Sequence, residues 1–137
     1  MLMSTKKYSA KFENLDQIRE HVAGFARAAG FSERTVYSVQ LAADEAASNI
    51  IEHAYEGRAD QFLHLRCEYS NDRLIMIFYD HGKSFDFSTV ETPDLTADLS
   101  ERRIGGLGIF LMHKLMDQVG YRVTNSGNYL TLIKRKE

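Results

Sequence analysis

A carboxylate and a carboxamide lie four residues apart in Asp44-Glu45-Ala46-Ala47-Ser48-Asn49. On a helix, that spacing stacks Glu45 and Asn49 on one face. A carboxylate held there can accept a proton. An asparagine carbonyl oxygen is a hard ligand, suited to a Mg2+ ion that phosphates also hold. The same residues would serve a solvated polar face, although asparagine is a poor mid-helix residue and weighs towards chemistry. His53, one turn on, shares the face and could reach a phosphate, or could lie exposed at the helix end.

Asp80-His81-Gly82 directly follows the apolar run Leu74-Ile75-Met76-Ile77-Phe78-Tyr79. An aspartate at the end of a central strand can accept a hydrogen bond from an adenine amino group, and Gly82 would let a ring approach the backbone. Asp and Gly also dominate ordinary turns. A third constellation is Gly105-Gly106-Leu107-Gly108, ahead of an apolar segment of helical period. Glycine permits close approach of the backbone to a ligand. A helix N-terminus offers unpaired N–H groups and partial positive charge. Together these form an anion cradle, typically for phosphate, or a loop that only needs flexibility before a core helix.

Other chemistries find less support. His21, His64, His81 and His113 have no metal-ligand spacing, and a single cysteine cannot help them, so a zinc site is not expected. Neither Gly-x-x-x-x-Gly-Lys-Ser/Thr nor Gly-x-Gly-x-x-Gly occurs, so P-loop and Rossmann sites are not expected. Cys67 lies in a strand-like run and reads as a small core or sheet residue.

The elements that must position these groups follow from periodicity. Lys7–Phe12 reads as a short strand. Asn14 with Gln17 reads as a capping box, opening a helix whose apolar stripe is Leu15, Ile18, Val22, Phe25, Ala26 and Ala29. Gly30 stops that helix. Ser32 caps a longer one reaching about Tyr55, with Gly57 just beyond. Its stripe is Val36, Val39, Ala43, Ala47, Ile50, Ile51 and Ala54. Phe62–Tyr69 and Leu74–Tyr79 form a hairpin around Ser70-Asn71-Asp72-Arg73. The second strand is apolar on both faces and belongs in the middle of a sheet. Residues 83–104 are polar and weakly periodic, a loop long enough to be functional. A helix is expected over Gly108–Val119, with Ile109, Met112, Leu115, Met116 and Val119 inward. Tyr121–Thr124 and Tyr129–Lys134 close the chain as a hairpin around Ser126-Gly127-Asn128. The order β-α-α-β-β-loop-α-β-β specifies an α+β two-layer sandwich, with helices on one face of a mixed or antiparallel sheet.

At 137 residues the chain makes one domain, 1–137, with a real core. Its apolar fraction of 44% and charged fraction of 26% are ordinary for a soluble protein. A formal charge of −2 gives no reason to expect nucleic acid as a direct partner. No apolar run is long enough for a membrane span. The first residues lack a secretory apolar core, so a cytoplasmic location is expected.

Taken in order, three boxes emerge. They are Glu45-x-x-x-Asn49-x-x-x-His53-Ala54-Tyr55, Asp80-x-Gly82-x-x-Phe85-Asp86, and Gly105-Gly106-Leu107-Gly108-Ile109-x-Leu111-Met112. They resemble the boxes of the Bergerat-type (GHKL) ATP-binding fold, and nearly the whole chain takes part. The length and the Phe85-Asp86 variant resemble the RsbW-like branch of anti-sigma-factor serine kinases. The chain is unlike a sensor histidine kinase, since it has no dimerisation helix or phospho-accepting histidine box. It also lacks the extra domains of gyrase- or chaperone-type ATPases.

The resemblance implies ATP or ADP with Mg2+ as cofactors. Asn49 would coordinate the metal and touch the phosphates, with His53 near them. Asp80 would bind the adenine amino group, with Gly82 and Thr131 beside it. Gly105, Gly106, Leu107 and Gly108 would offer amides to the phosphates. Residues 83–104 would be an ATP lid from which Arg102 or Arg103 meets the γ-phosphate. Glu45 would be the general base for a serine hydroxyl. Ser84 departs from the pattern, standing where many relatives have a second glycine, which bears on the loop after Gly82. The implied function is a kinase that sequesters a sigma factor and phosphorylates a STAS-type anti-anti-sigma protein, in a bacterial partner-switching circuit. A homodimer is implied too, to which the sequence adds only apolar residues such as Phe12 and Leu15. The rival is a module of the same fold that binds nucleotide and partners without transferring phosphate; a third possibility is a stand-alone ATPase. Retention of Glu45 and Asn49 favours the kinase.

Overall fold

The computed structural model describes residues 1–58, 60–84 and 106–136. Five strands form one antiparallel sheet: β1 (Leu2–Ser9), β2 (Phe62–Ser70), β3 (Arg73–Asp80), β4 (Gln118–Thr124) and β5 (Gly127–Arg135). Their spatial order is β1-β2-β3-β5-β4, so β3 occupies the centre, as its two-sided apolar character requires. Among the described residues, three α-helices cover one face: α1 (Leu15–Ala28), α2 (Glu33–Asn49) and α3 (Gly106–Leu115). The expected α+β sandwich is therefore observed, with the sheet wholly antiparallel.

The core lies between the layers. Leu63, Leu65, Cys67, Leu74, Met76, Phe78, Leu130 and Leu132 point at the helices from alternate strand positions. Ile18, Val22, Phe25 and Ala26 of α1 meet them, as do Val36, Val39, Ala43, Ala47, Ile50 and Ile51 from the second helical segment. α2 packs against both α1 and α3, and its run of buried alanines suits that central place. Cys67 is a core residue, as expected, and burial pushes its thiol up to about 12.

Local chemistry sets most boundaries. Ser32 caps α2 by accepting the Thr35 N–H at 3.3 Å. Gly30 ends α1 with φ +89°. Asn71 and Asp72 take φ of 52° and 61°, which gives the β2–β3 hairpin its right-handed twist.

Four expectations need correction. The first strand is β1 (Leu2–Ser9) and not Lys7–Phe12. It runs along β2 in continuous register from Leu2 opposite Tyr69 to Ser9 opposite Phe62, while Phe12–Asn14 coil into a 3-10 turn. The capping box at Asn14 does not form. The turn carries Asn14 into α1 in helical conformation, and its side chain donates instead to the Ser9 carbonyl at 2.8 Å. α3 stops at Leu115, not Val119. The segment after it is claimed by the sheet: the Asp117 N–H donates to Ile133 O at 2.9 Å, and Asp117 accepts the Arg135 N–H at 2.6 Å. Lys134 satisfies the Leu115 carbonyl at the helix end, 3.0 Å away. Finally, the last strand begins at Gly127, which places Asn128 inside it and not in the turn.

The edge strand β1 is fastened to α1 through one imidazole. His21 hydrogen-bonds Ser4 Oγ through Nε2 at 2.7 Å and Tyr8 OH through Nδ1 at 2.9 Å.

Candidate functional site

The described residues of the three boxes converge at one end of the sandwich. Glu45 and Asn49 project from the last turns of α2, and Gly108 lies against them in the first turns of α3. A Cβ at Gly108 would stand 2.7 Å from Glu45 Oε2 and 3.4 Å from Asn49 Nδ2. A methyl there would push the Glu45 carboxylate aside. Asn49 is 6% exposed, and its Nδ2 finds no hydrogen-bond partner among the described residues. A buried amide left unpaired is costly, and this one faces the first turn of α3, where helix geometry presents N–H groups suited to an anion. A phosphate oxygen would accept from Nδ2. Turned over, the same amide presents the carbonyl oxygen that a hard cation takes. Glu45 is half-buried, and its carboxyl is held above the usual glutamate range by burial first and then by the neighbouring Asp44 charge. Asp44 itself pairs with Arg19, which leaves Glu45 as the carboxylate that meets Gly108.

Beyond Asn49 the helix widens into a π turn over Ile50–Ala54, a rare geometry that recurs at functional sites. His53 lies in this turn, half-buried, with Nε2 4.0 Å from Glu52. The wide turn delivers Ala54 to the loop after β3. There the Lys83 N–H donates to Ala54 O at 2.8 Å, and a Cβ on Gly82 would stand only 2.4 Å from the same oxygen.

Asp80 ends β3 on the helix-facing side and is 2% exposed. Its Oδ1 accepts the Gly82 N–H at 2.8 Å and Asn128 Nδ2 at 3.0 Å. Burial raises its pKa, opposed by those two hydrogen bonds and the charge of His81. Asn128 also donates to Gly82 O at 2.9 Å. Asp80 is thus a fixed carboxylate, flanked by a backbone that approaches another backbone closely.

Thr131 does not join this group. In β5, Asn128, Leu130 and Leu132 face the helices, so Thr131 falls on the other side of the sheet. There it lines an open groove of about 750 Å3 with Ile77, Tyr79 and Tyr129. Asn128 occupies the place beside Asp80 that the resemblance gives to Thr131. The signal for it was present in the sequence: a polar residue continuing the inward alternation of Leu130 and Leu132. Read as a turn residue, it lost that parity. Residues 85–104 of the expected lid, with Arg102 and Arg103, lie outside the described residues, as does Gly105, and Gly106 and Leu107 open α3.

Comparisons with known proteins agree with this geometry. Residues 8–134 match the family model described as the histidine kinase-like ATPase domain. The chain is 34% identical over 119 residues to the serine-protein kinase RsbW of Listeria monocytogenes serovar 1/2a, covering 84% of this chain and 76% of that protein. It is 36% identical over 126 residues to the serine-protein kinase RsbW of Bacillus subtilis, covering 87% and 76%. In fold it is similar to a crystal structure of the RsbU and RsbW domains of a Mycobacterium tuberculosis protein. There the TM-score is 0.71 at 13% identity, over 99% of this chain and 33% of that longer one.

Proposed function

The chain belongs to the histidine kinase-like ATPase domain family and, within it, to the RsbW serine-protein kinases; from that premise we propose that it is an ATP-dependent anti-sigma kinase of a partner-switching system. It sequesters a sigma factor and phosphorylates a serine of a STAS-type anti-anti-sigma protein. One observation carries the reading: a desolvated carboxylate, Glu45, and an unpaired buried amide, Asn49, meet at Gly108 on the turn that opens α3.

Mg-ATP, when bound, supplies the transferable phosphoryl group. The residues of this chain divide the remaining work. Asp80, held by Asn128 and Gly82, accepts the adenine amino group. Gly106 to Gly108 bring backbone N–H groups to the phosphates. Asn49 offers its carboxamide to the metal and the phosphates, with His53 one turn beyond. Glu45 accepts the proton of the attacking serine hydroxyl. Positioning and electrostatics of this kind dominate catalysis of phosphoryl transfer.

Incubation with labelled ATP and a STAS-type protein should move label onto a serine of that protein. Nucleotide binding without transfer would favour the partner-sequestering rival. Phosphate release with no acceptor present would favour a stand-alone ATPase.

A third partner is another copy of the chain, seated on the sheet face opposite the described helices. Leu15 packs against the core, so the expected apolar surface around Phe12 and Leu15 reduces to Phe12 alone. The open sheet face offers more. One row crosses all five strands in register: Lys7, His64, Tyr79, Tyr129 and Arg122. Two rows away along the strands lie Met3, Glu68, Ile75, Ile133 and Gln118. A half-turn about the intervening row, which contains Ile77, lays Tyr79 on Ile75, Tyr129 on Ile133 and His64 on Glu68 of the second copy. Aromatic and aliphatic side chains thus meet across the two-fold, as a self-complementary interface requires, with Ile77 and Arg66 on the axis row. Light scattering should give a dimer at tens of micromolar, and Ile77→Glu should give a folded monomer. A monomeric parent, or a dimer indifferent to Ile77→Glu, would refute the assignment.

A further inference from the structure

The loop after β3 is suspended from the helix that carries Asn49. Three successive amides, those of His81, Gly82 and Lys83, have defined acceptors. Gly82 uses the side chain of Asp80 at 2.8 Å. The other two reach across to neighbouring residues of the α2 extension: His81 N–H donates to Tyr55 OH at 2.7 Å, and Lys83 N–H to Ala54 O at 2.8 Å. Tyr55 is 1% exposed, and its hydroxyl donates in turn to Phe62 O at 2.7 Å. One phenol therefore ties the helix end, the start of β2 and the end of β3 together. Burial, the largest influence on it, raises the phenol above its ordinary range. The proton stays on, and the oxygen can donate to Phe62 and accept from His81 together.

We infer that Tyr55 is a positioning and specificity-determining residue, whose hydroxyl fixes the Asp80–His81 peptide so that the Asp80 carboxylate selects a 6-amino purine. The inference rests on the reading that Asp80 receives the adenine amino group. The amide that Tyr55 accepts belongs to the peptide that leaves Asp80, so its orientation governs where the carboxylate points. A phenylalanine fills the same space but takes the hydroxyl partner from the His81 N–H and from the Phe62 carbonyl. The peptide is then free to turn, and the carboxylate loses its aim. Phosphate contacts, built from α2 and α3, keep their own supports.

Adenosine and inosine diphosphate separate these contributions. They share ribose and phosphates, but inosine carries a 6-oxo acceptor where adenosine carries the amino donor. Calorimetric titration of each, for the parent and for Tyr55→Phe, gives a ratio of affinities that does not depend on the fraction of folded protein. The parent should prefer adenosine diphosphate. Tyr55→Phe should erode that preference about tenfold, through weaker adenosine binding with inosine binding little changed. An equal loss of both affinities, or a preserved ratio, would overturn the inference and leave Tyr55 a purely structural residue. A parent without any preference would overturn the adenine reading itself. Should Tyr55→Phe fail to fold, exchange of the His81 amide in the parent decides the matter. At equal occupancy, adenosine diphosphate should slow it further than inosine diphosphate does, and equal protection would refute the inference.

Discussion

Glu45→Gln should lower the rate of serine phosphorylation by about 10²-fold or more while nucleotide affinity is largely kept. The substitution preserves size and polarity and removes basicity. Glu45 lies within van der Waals reach of the helix turn proposed to hold the phosphates, where a proton acceptor for the attacking hydroxyl is needed. Its carboxyl is held above the ordinary value of 4.5. A base works only when ionised, so turnover of the parent should rise with pH through that elevated pKa. In the glutamine variant this acid limb should vanish. Single-turnover transfer, measured beside calorimetric nucleotide titration, separates chemistry from binding. A variant that transfers phosphate at the parent rate would remove Glu45 from the mechanism. The rival module predicts no effect, because there would be no transfer to lose.

Gly82→Ala should be damaging for a purely geometric reason. The added methyl would stand 2.4 Å from Ala54 O and 2.6 Å from its carbonyl carbon. Both are backbone atoms, tied by the Lys83 N–H bond, so no side-chain rotation relieves the contact. Overpacking of this kind costs roughly 1–3 kcal/mol. The displacement falls on the residues that hold Asp80, so adenosine nucleotides should bind at least about tenfold more weakly, the equivalent of one lost hydrogen bond. Gly24 in α1 supplies the control. A Cβ there meets nothing within 4 Å, and Gly24→Ala should stabilise the helix by about 0.5–1 kcal/mol with nucleotide binding untouched. Thermal melts of the two variants test the contrast. A Gly82→Ala protein that melts and binds like the parent would show that the loop has slack the geometry denies it.

The fold was legible in the sequence where periodicity and local chemistry agree. The stripes of α1 and α2, the Ser32 cap, the Gly30 stop and the Asn71-Asp72 hairpin each rest on contacts a few residues long. The errors lie where distant strands decide. Met116–Val119 has helical period and would extend α3, but β5 offers Asp117 and its neighbours backbone partners that a short helix end cannot match. Lys6 and Lys7 hide the reach of β1, because an edge strand needs no apolar alternation to pair. The site divides in the same way. Glu45 and Asn49 declare themselves by spacing on one helix. The place beside Asp80 depends on cross-strand register, which assigns Asn128 to it and sends Thr131 to the opposite face. Tyr55 was visible as the last residue of a motif, but its partners, His81 and Phe62, are joined to it only by the folded chain.

The pocket is an unfavourable thing to keep empty. Two carboxylates, Glu45 and Asp80, are held partly desolvated, and the buried Asn49 Nδ2 has no hydrogen-bond partner among the described residues. Each favours the folded chain less than a surface residue would. A ligand that satisfies these groups and binds only the native state adds RT ln(1 + [L]/Kd) to the unfolding free energy. At a hundredfold excess over Kd this is about 2.7 kcal/mol, a substantial fraction of the stability of an ordinary domain. The nucleotide-bound chain should therefore melt at a higher temperature and resist proteolysis longer than the unliganded one, by an amount that grows with nucleotide concentration.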